Sequence, residues 1–209
     1  MIKIGLADNN PVVHFGIKSY FKDHIDISLS GIVDNFDMVS ELIKRKEIDV
    51  LLIDLELEGL TSINLIKSLA VEYSKLKIVI FSNLNEQVYA PNAVKAGCSA
   101  YVHKSERLDL LANTIVKVHR GATIFSDSVK RNLSLISKKP KSDRLYRKLS
   151  SREIEVLRYL SYGKKNKEIA DLLTLNEKTI STYKLRLLAK LNVTNLVDLV
   201  NKAKTLEIV

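Results

Sequence analysis

Several residue types that define specialised protein classes are scarce in this chain of 209 residues. Its single cysteine, Cys98, excludes an intramolecular disulfide, and its four histidines lack the spacing of a structural zinc site. With only 7 Gly and 3 Pro, the chain is neither fibrous nor of low complexity. The apolar runs at residues 50–53 and 78–81 are far shorter than the roughly 18 residues of a membrane-spanning helix. The N-terminus also lacks the pattern of a secretory signal, so we expect a cytoplasmic protein.

Positive charge is concentrated towards the C-terminus. The formal net charge is +9, and residues 1–125 carry 14 basic and 15 acidic side chains, whereas residues 126–209 carry 19 and 9. A basic segment of this kind is a solvated surface, a nucleic-acid-binding surface or a membrane-surface patch, and charge alone does not separate these. The folding pattern of the segment has to decide.

The first 120 residues alternate short apolar runs with amphipathic stretches. The runs are residues 2–7, 27–33, 50–53, 78–81 and 100–102, and the stretches are 11–23, 36–45, 62–73, 86–96 and 107–119. This pattern predicts an α/β domain of five βα units, a doubly wound parallel sheet with the flavodoxin-like strand order. Because sites in such sheets lie beyond the carboxyl ends of the strands, the candidate site residues are Asp8, Asn9, Asp54, Ser82 and Lys104.

From Leu149 onward the pattern is helical and predicts a small all-α domain of four helices. Ser150 and Glu153 have the spacing of a capping box, and Gly163 ends the first helix. The other helices are predicted at 166–173, at 177–191 with Asn176 as N-cap, and at 194–206. The predicted domains are 1–122 and 148–209. Residues 123–147 form the predicted linker, with a helix at 127–136 and a flexible stretch at 138–143.

The predicted helix 177–191 has two distinct faces on a helical wheel. One face carries Ile180, Tyr183, Leu187 and Leu191, and the opposite face carries Lys178, Ser181, Thr182 and Leu185. A single helix of this kind is most simply explained as a solvated surface. However, a short helix, a tight turn and a second helix with a polar outer face are typical of a helix-turn-helix DNA reader. The excess positive charge of this part of the chain favours the DNA-binding interpretation.

Three segments resemble the LuxR-type DNA-binding domain: 149–157 (LSSREIEVL), 166–170 (NKEIA) and 178–184 (KTISTYK). The resemblance covers nearly all of residues 149–206. It implies that the third helix reads DNA and that the fourth forms a dimer contact. It also implies that Ser181, Thr182 and Leu185 face base edges, with Leu185 limited to an apolar contact such as a thymine methyl, and that Lys178, Lys184 and Arg186 contact the backbone.

Residues 2–120 resemble the receiver domain of two-component response regulators, in the NarL/FixJ-type arrangement that joins a receiver to a LuxR-type domain. The matching segments are 7–11 (ADNNP), 52–55 (LIDL), 81–82 (FS) and 101–104 (YVHK). The resemblance implies that Asp54 is the phosphoacceptor, Lys104 its counter-charge and Ser82 the switch hydroxyl. Tyr101 is either the switch aromatic or a packing residue at the edge of the core. A Mg²⁺ ion would be held by Asp8, Asn9, Asp54 and Glu56.

Two positions depart from the receiver pattern. Where the family has a second carboxylate in the first turn, this chain has Asn9, whose amide oxygen brings no charge. Because hard cations lose affinity when a carboxylate is removed, we predict weakened Mg²⁺ binding and slow or absent phosphorylation. The stretch 56–59 after Asp54 also differs, with Glu58 where relatives usually have proline. In this stretch, Glu56 either reaches the pocket and partly restores its charge or points to solvent.

The leading hypothesis is a DNA-binding transcription regulator. A sensor histidine kinase would phosphorylate Asp54, and a homodimer would bind promoter DNA. In the regulatory alternative, the same architecture works without phosphate through constitutive dimerisation or a partner protein. A third hypothesis is a phosphatase, because residues 54–56 loosely imitate an aspartate-nucleophile loop, but the surrounding pattern predicts no enzyme. A flavodoxin-like redox carrier is disfavoured because residues 9–11 do not form a Ser/Thr-rich phosphate loop.

Overall fold

The computed structural model describes residues 1–135 and 149–209, without the side chains of 132–135. The predicted flexible stretch 138–143 and residue 136 of the predicted linker helix lie outside the described residues. The chain divides into two compact units, Met1–Leu133 and Ser134–Val209, each of which is described by itself. Within residues 1–135 and 149–209, no helix combines the length and the hydrophobicity that a membrane-spanning segment requires.

The first unit is a parallel five-stranded sheet with helices between the strands. The strands are β1 (Ile2–Ala7), β2 (Ile27–Val33), β3 (Val50–Ile53), β4 (Lys77–Ser82) and β5 (Ala100–His103). The helices are α1 (Pro11–Phe21), α2 (Val39–Lys46), α3 (Ile63–Glu72), α4 (Glu86–Lys95) and α5 (Leu108–His119). The strand order β2-β1-β3-β4-β5 confirms the predicted doubly wound, flavodoxin-like sheet. The stretch predicted as one helix at 36–45 differs, because it begins with a 3-10 turn at Phe36–Met38.

Burial of the sheet explains why these strands are almost continuous in Val, Ile and Leu. All four residues of β3 are buried, as expected for a strand with helices on both of its faces. On one face, Ile17 and Phe21 of α1 pack in the same core cluster as Leu111 and Ile115 of α5. This packing leaves the carboxyl ends of the strands at one edge of the unit, where the polar residues lie.

The first unit extends beyond residue 122, where the sequence pattern puts the domain boundary. Ile124 pairs with β5, since its N–H donates to Ser99 O at 2.8 Å and its carbonyl accepts from Tyr101 N at 3.2 Å. Phe125 is buried just before α6 (Asp127–Leu135), and Val129 is buried within the first turn of that helix. These two apolar side chains give the start of the predicted linker a packed position on the first unit.

The second unit contains the four helices of its predicted pattern. They are α7 (Ser151–Ser161), α8 (Asn166–Leu173), α9 (Glu177–Leu191) and α10 (Leu196–Thr205). Leu157, Ile169, Ile180, Leu187 and Leu199 have no exposed surface and form the centre of the helical core. The predicted capping box is present, because Ser150 Oγ accepts from Glu153 N while the Glu153 side chain accepts from Ser150 N.

The carboxylate of Glu153 combines helix capping with a buried ion pair. Its Oε2 accepts from Ser150 N at 2.6 Å and lies 2.8 Å from Lys190 Nζ, while the residue is only 2% exposed. Burial by itself raises the pKa of Glu153, but the hydrogen bonds from Lys190 and Ser150 outweigh it and hold the pKa below its ordinary value of 4.5. The ionised carboxylate therefore stabilises the folded second unit.

We expect Glu153→Gln to destabilise the second unit at pH 7 by about 2 kcal/mol, through loss of the ion pair and a weaker cap. Because the folded-state pKa lies below the unfolded one, this contribution is complete above about pH 4.5 and is lost as the pH falls through the folded-state pKa. Calorimetry of the full chain should show the variant and wild type converging in acid. The matched control is Glu168→Gln, which changes an exposed carboxylate in the same role on α8. An equal effect of both substitutions at pH 7 would contradict the prediction.

Candidate functional sites

Four polar side chains that follow or end neighbouring strands meet at the carboxyl edge of the sheet. Asp8 follows β1, Asp54 follows β3, Ser82 ends β4 and Lys104 follows β5. Asp8, Asp54 and Ser82 are buried, and the Lys104 side chain is 7% exposed. The strand order makes β1, β3, β4 and β5 neighbours, so residues far apart in sequence lie in contact.

Asp54 is the centre of this cluster, because each of its carboxylate oxygens has a donor. Oδ1 accepts from Ser82 Oγ at 2.6 Å and from Glu56 N at 3.2 Å, and Oδ2 accepts from Lys104 Nζ. Lys104 Nζ also lies 2.8 Å from Asp8 Oδ2. A single ammonium group is therefore shared by two buried carboxylates.

The charges around Lys104 control its protonation. Burial is the largest single influence and by itself lowers the pKa of Lys104, but the hydrogen bond to Asp54 and the negative charges of Asp54 and Asp8 together outweigh it. The net result is a raised pKa, so the side chain stays a cation. With two carboxylates and one ammonium, the cluster has a net charge of −1.

The turn after β1 orients Asp8 but turns the next residue outward. Asp8 Oδ1 accepts from Asn10 N at 2.8 Å, and the Asp8 carbonyl oxygen contacts His14 Nε2. Asn10 is the N-cap of α1, accepting from Val12 N at 2.9 Å. Asn9 is exposed.

The oxygen atoms of this cluster fit a Mg²⁺ ion with few protein ligands. Asp8 Oδ2 is buried and, among the described residues, forms the ion pair with Lys104 but accepts no hydrogen bond. Mg²⁺ commonly uses one or two carboxylates and keeps several waters, so Asp8 and Asp54 supply a sufficient pair. Within residues 1–135 and 149–209, no three Asp, Glu, His or Cys side chains are grouped to hold a metal.

The loop after Asp54 is anchored by buried leucines and leaves its acidic side chains at the surface. Leu55, Leu57 and Leu60 are buried, whereas Glu56 and Glu58 are exposed. The contact of Glu56 with Asp54 is through the backbone N–H.

Two side chains of β5 hold the loop that follows Ser82. Tyr101 is buried and its hydroxyl donates to Leu84 O at 2.7 Å, while His103 Nε2 lies 2.8 Å from Asn83 O. Burial, and after it the charges of Tyr89, Asp54 and Glu86, raise the pKa of Tyr101 far above its ordinary value, so the hydroxyl remains a donor. The contact of His103 was not predicted from the sequence, although the position of this residue beside Lys104 was a signal.

The second unit presents a helix-turn-helix. Thr174, with φ of 53°, ends α8, and Asn176 caps α9 by accepting from Lys178 N at 2.9 Å. Asn166 Nδ2 at the start of α8 donates to Ser181 Oγ of α9 at 3.2 Å. This contact fixes the start of one helix against the other.

The side chains on the outer face of α9 differ in their exposure to solvent. Lys178, Thr182, Leu185 and Arg186 are exposed, and Leu185 exposes 67% of its surface. Lys184 and Ser181 are half-buried, and Ser181 Oγ also donates to Glu177 O at 3.2 Å. Thr182 Oγ1 donates to Lys178 O at 3.0 Å. The Arg186 guanidinium lies 5.9 Å from the Tyr183 ring centre.

Both halves of the chain match known protein families. Residues 4–116 match the response regulator receiver domain, and residues 147–203 match the bacterial regulatory proteins of the luxR family. Together these matches cover most of both units.

Several known proteins are similar to this chain over almost its whole length. The Fimbriae Z protein of Salmonella typhimurium and the virulence-factor transcription regulator BvgA of Bordetella pertussis are each 30% identical over 97% of this chain and 96% of theirs. RcsB of Salmonella enterica serovar Typhimurium, solved bound to promoter rprA with a phosphomimetic, superimposes with a TM-score of 0.76 at 25% identity, covering 97% of this chain and 98% of that one.

Because BvgA is a transcription regulator and the matched families are regulatory, the phosphatase hypothesis is wrong. The chain belongs to the NarL/FixJ-type response regulators, DNA-binding transcription regulators in which a receiver domain precedes a LuxR-type helix-turn-helix domain.

Proposed function

We propose that this protein regulates transcription by accepting a phosphoryl group on Asp54 from a histidine kinase and binding promoter DNA as a homodimer through α9. The observation that carries the phosphoryl-acceptor assignment is the pairing of both Asp54 oxygens, one with a hydroxyl and one with an ammonium. Promoter DNA and a phosphorylated kinase as partners also imply a cytoplasmic protein.

Phosphoryl transfer requires one Asp54 oxygen to attack phosphorus. The new P–O bond forms as the bond between phosphorus and the donor's leaving atom breaks, and the product is a mixed anhydride on Asp54. Lys104 and Ser82, which now bind Asp54 directly, are close enough to bind the oxygens of the transferred group. The donor's leaving group departs with the electrons of the broken bond.

Asp8 and Asp54 would hold Mg²⁺, with Asn9 contributing an amide oxygen if its side chain turns inward. When bound, the ion neutralises negative oxygens around phosphorus. Glu56 is exposed and belongs to the proposed ligand set only through a water molecule or a side-chain rotation. Replacement of the second family carboxylate by Asn9 should leave the affinity for Mg²⁺ low.

The proposed DNA contacts follow from accessibility on α9. Thr182 and Leu185 are exposed at positions where side chains of a recognition helix meet base edges, and Ser181 has a remaining acceptor site beside them. Lys178, Lys184 and Arg186 would bind phosphates. In RcsB, solved structures contain promoter DNA and dimers, which supports the same mode of binding here.

Substitutions on α9 test this interface. We expect Lys184→Ala to weaken binding to all duplexes and to lower the slope of log affinity against log salt by about 1, because one phosphate contact is lost. Thr182→Ala should instead change the preference among sequences. The matched control is Lys117→Ala, which removes the same charge from an exposed position on α5. Wild-type binding by both α9 variants would rule out this face as the DNA contact.

A second mode of regulation is supported by the same cluster. Lys104 already neutralises part of the charge of Asp8 and Asp54, and Asn9 brings no further carboxylate. A receiver of this kind can support constitutive dimerisation or bind a partner protein without phosphate. In that case Asp54→Ala would leave DNA affinity and oligomeric mass unchanged.

A further inference from the structure

The start of helix α6, in the segment that leads out of the first unit, is held by a residue of α4. Ser126 precedes Asp127, the first residue of α6, and its N–H donates to Glu86 Oε1 at 2.9 Å. Glu86 is the first residue of α4 and lies 40 positions earlier in sequence. The contact therefore joins the segment after the sheet to the helix after Ser82.

This contact completes a capping box whose two halves come from different elements. In an ordinary capping box, the third helical residue is Glu or Gln and accepts the N–H of the N-cap residue. In α6 that position is Val129, which is fully buried and has no acceptor side chain. Ser126 Oγ still accepts from Val129 N, at 3.4 Å, but the reciprocal acceptor is supplied by Glu86.

A carboxylate also interacts favourably with the positive end of a helix dipole. Glu86 lies at the N-terminus of α4 and contacts the N-terminus of α6, so its charge stabilises both helix N-termini. Loss of its position would leave Ser126 N without this acceptor and weaken the first turn of α6.

The residues before Glu86 connect this contact to the cluster around Asp54. Ser82 Oγ binds Asp54 and accepts from Leu84 N at 3.4 Å, and Leu84 O accepts from the Tyr101 hydroxyl at 2.7 Å. Tyr101 N in turn donates to Ile124 O, two residues before Ser126. A displacement of Ser82 thus acts on the loop that positions Glu86.

Helix α4 is suited to move because its own hydrogen bonding is incomplete. Pro91 lies in its interior and cannot donate the backbone hydrogen bond expected of a helical residue there. The helix that carries Glu86 therefore resists displacement less than a regular helix would.

We propose that Glu86 is a latch that holds the start of α6 on the first unit and opens when Ser82 moves to bind a phosphoryl group on Asp54. The opening step rests on the proposed function of Asp54, whereas the closed latch does not. Opening frees the first turn of α6, which the closed latch holds on α4.

Amide hydrogen exchange in the full chain tests the closed latch without any phosphoryl donor. Glu86→Ala should increase exchange of the Ser126 and Val129 amides about tenfold, as expected for loss of a hydrogen bond to a charged group. Glu86→Gln is the matched control, because its amide oxygen still accepts, and its exchange should rise less than about threefold. Wild-type exchange in Glu86→Ala would overturn the latch.

Tyr101→Phe tests the connection to the Ser82 loop, because it keeps the ring and removes only the hydroxyl bonded to Leu84 O. Exchange at Ser126 and Val129 should rise about threefold, while amides in the centre of β3 remain protected. An unchanged Ser126 amide in this variant would refute coupling through the loop. A general increase throughout the sheet would refute it too, since the effect would then be loss of stability.

Beryllofluoride with Mg²⁺, as a substitute for the phosphoryl group on Asp54, tests whether the latch opens. Binding is judged from changed exchange at residues 82–84 that is absent in Asp54→Ala. If wild type binds, its Ser126 exchange should rise to the level of Glu86→Ala, and that variant should show no further increase. Binding without a change at Ser126 would overturn the opening step. Absence of binding would contradict the proposed function of Asp54, and the first two measurements would still decide the latch.

Discussion

Asp54→Ala is expected to abolish formation of a phosphoryl adduct. Incubation with acetyl phosphate and Mg²⁺ should add one phosphoryl group to the wild type and none to the variant, as read by intact mass. The reason is that Asp54 has nucleophilic carboxylate oxygens bound by both the Ser82 hydroxyl and the Lys104 ammonium. The control is Asp23→Ala, which removes an exposed carboxylate just after α1. An adduct on Asp54→Ala would disprove the assignment.

Asn9→Asp should make phosphoryl-adduct formation faster at low Mg²⁺ concentrations. A carboxylate beside Asp8 adds a charged oxygen for Mg²⁺, and we expect adduct formation to reach half its maximal rate at a Mg²⁺ concentration about tenfold lower. The measurement is the initial rate of adduct formation across a Mg²⁺ titration. An identical dependence in both proteins would mean that residue 9 does not contact the metal. An adduct that appears only in Asn9→Asp would favour phosphate-independent regulation of the natural protein.

Lys104→Met should destabilise the first unit by about 3 kcal/mol, because it leaves two buried carboxylates without their shared cation. The side chains of Lys104, Asp8 and Asp54 are 7%, 0% and 5% exposed, so water replaces the lost partner poorly. Guanidinium unfolding of the full chain, followed through the transition of the first unit, gives the free energy of unfolding.

A matched lysine separates this effect from a general loss of charge. Lys3 pairs with Glu47 at 3.0 Å, but their side chains are 45% and 82% exposed. Lys3→Met should therefore cost less than about 1 kcal/mol. Mg²⁺ should stabilise Lys104→Met more than wild type, because it neutralises the same two carboxylates. Equal destabilisation by both substitutions would contradict the role of the buried ammonium.

Local sequence signals predicted the secondary structure closely. Periods of apolar residues, with caps such as Ser150 and Asn176, depend on residues a few positions apart. Strands 27–33 and 50–53 and helices 166–173 and 177–191 therefore have the predicted bounds. The start of the predicted helix at 36 differs because Asn35 caps a 3-10 turn, a distinction that apolar periodicity does not make.

The candidate cluster was only partly predictable. A parallel sheet brings polar strand ends to one edge, which is why Asp8, Asp54, Ser82 and Lys104 were selected together. Periodicity does not predict how side chains in a turn are directed. The exposed positions of Asn9 and Glu56 therefore became known only from the structure.

Local periodicity and residue type were enough to predict the sequence of strands and helices along the chain, the polar groups at the strand ends and the two faces of α9. The assembled fold was needed to show that one ammonium serves two carboxylates, that His103 contacts the loop after β4 and that Glu86 caps a helix 40 residues away. Contacts over such separations depend on strand order and side-chain packing, because groups distant in the chain meet only when the whole sheet is assembled.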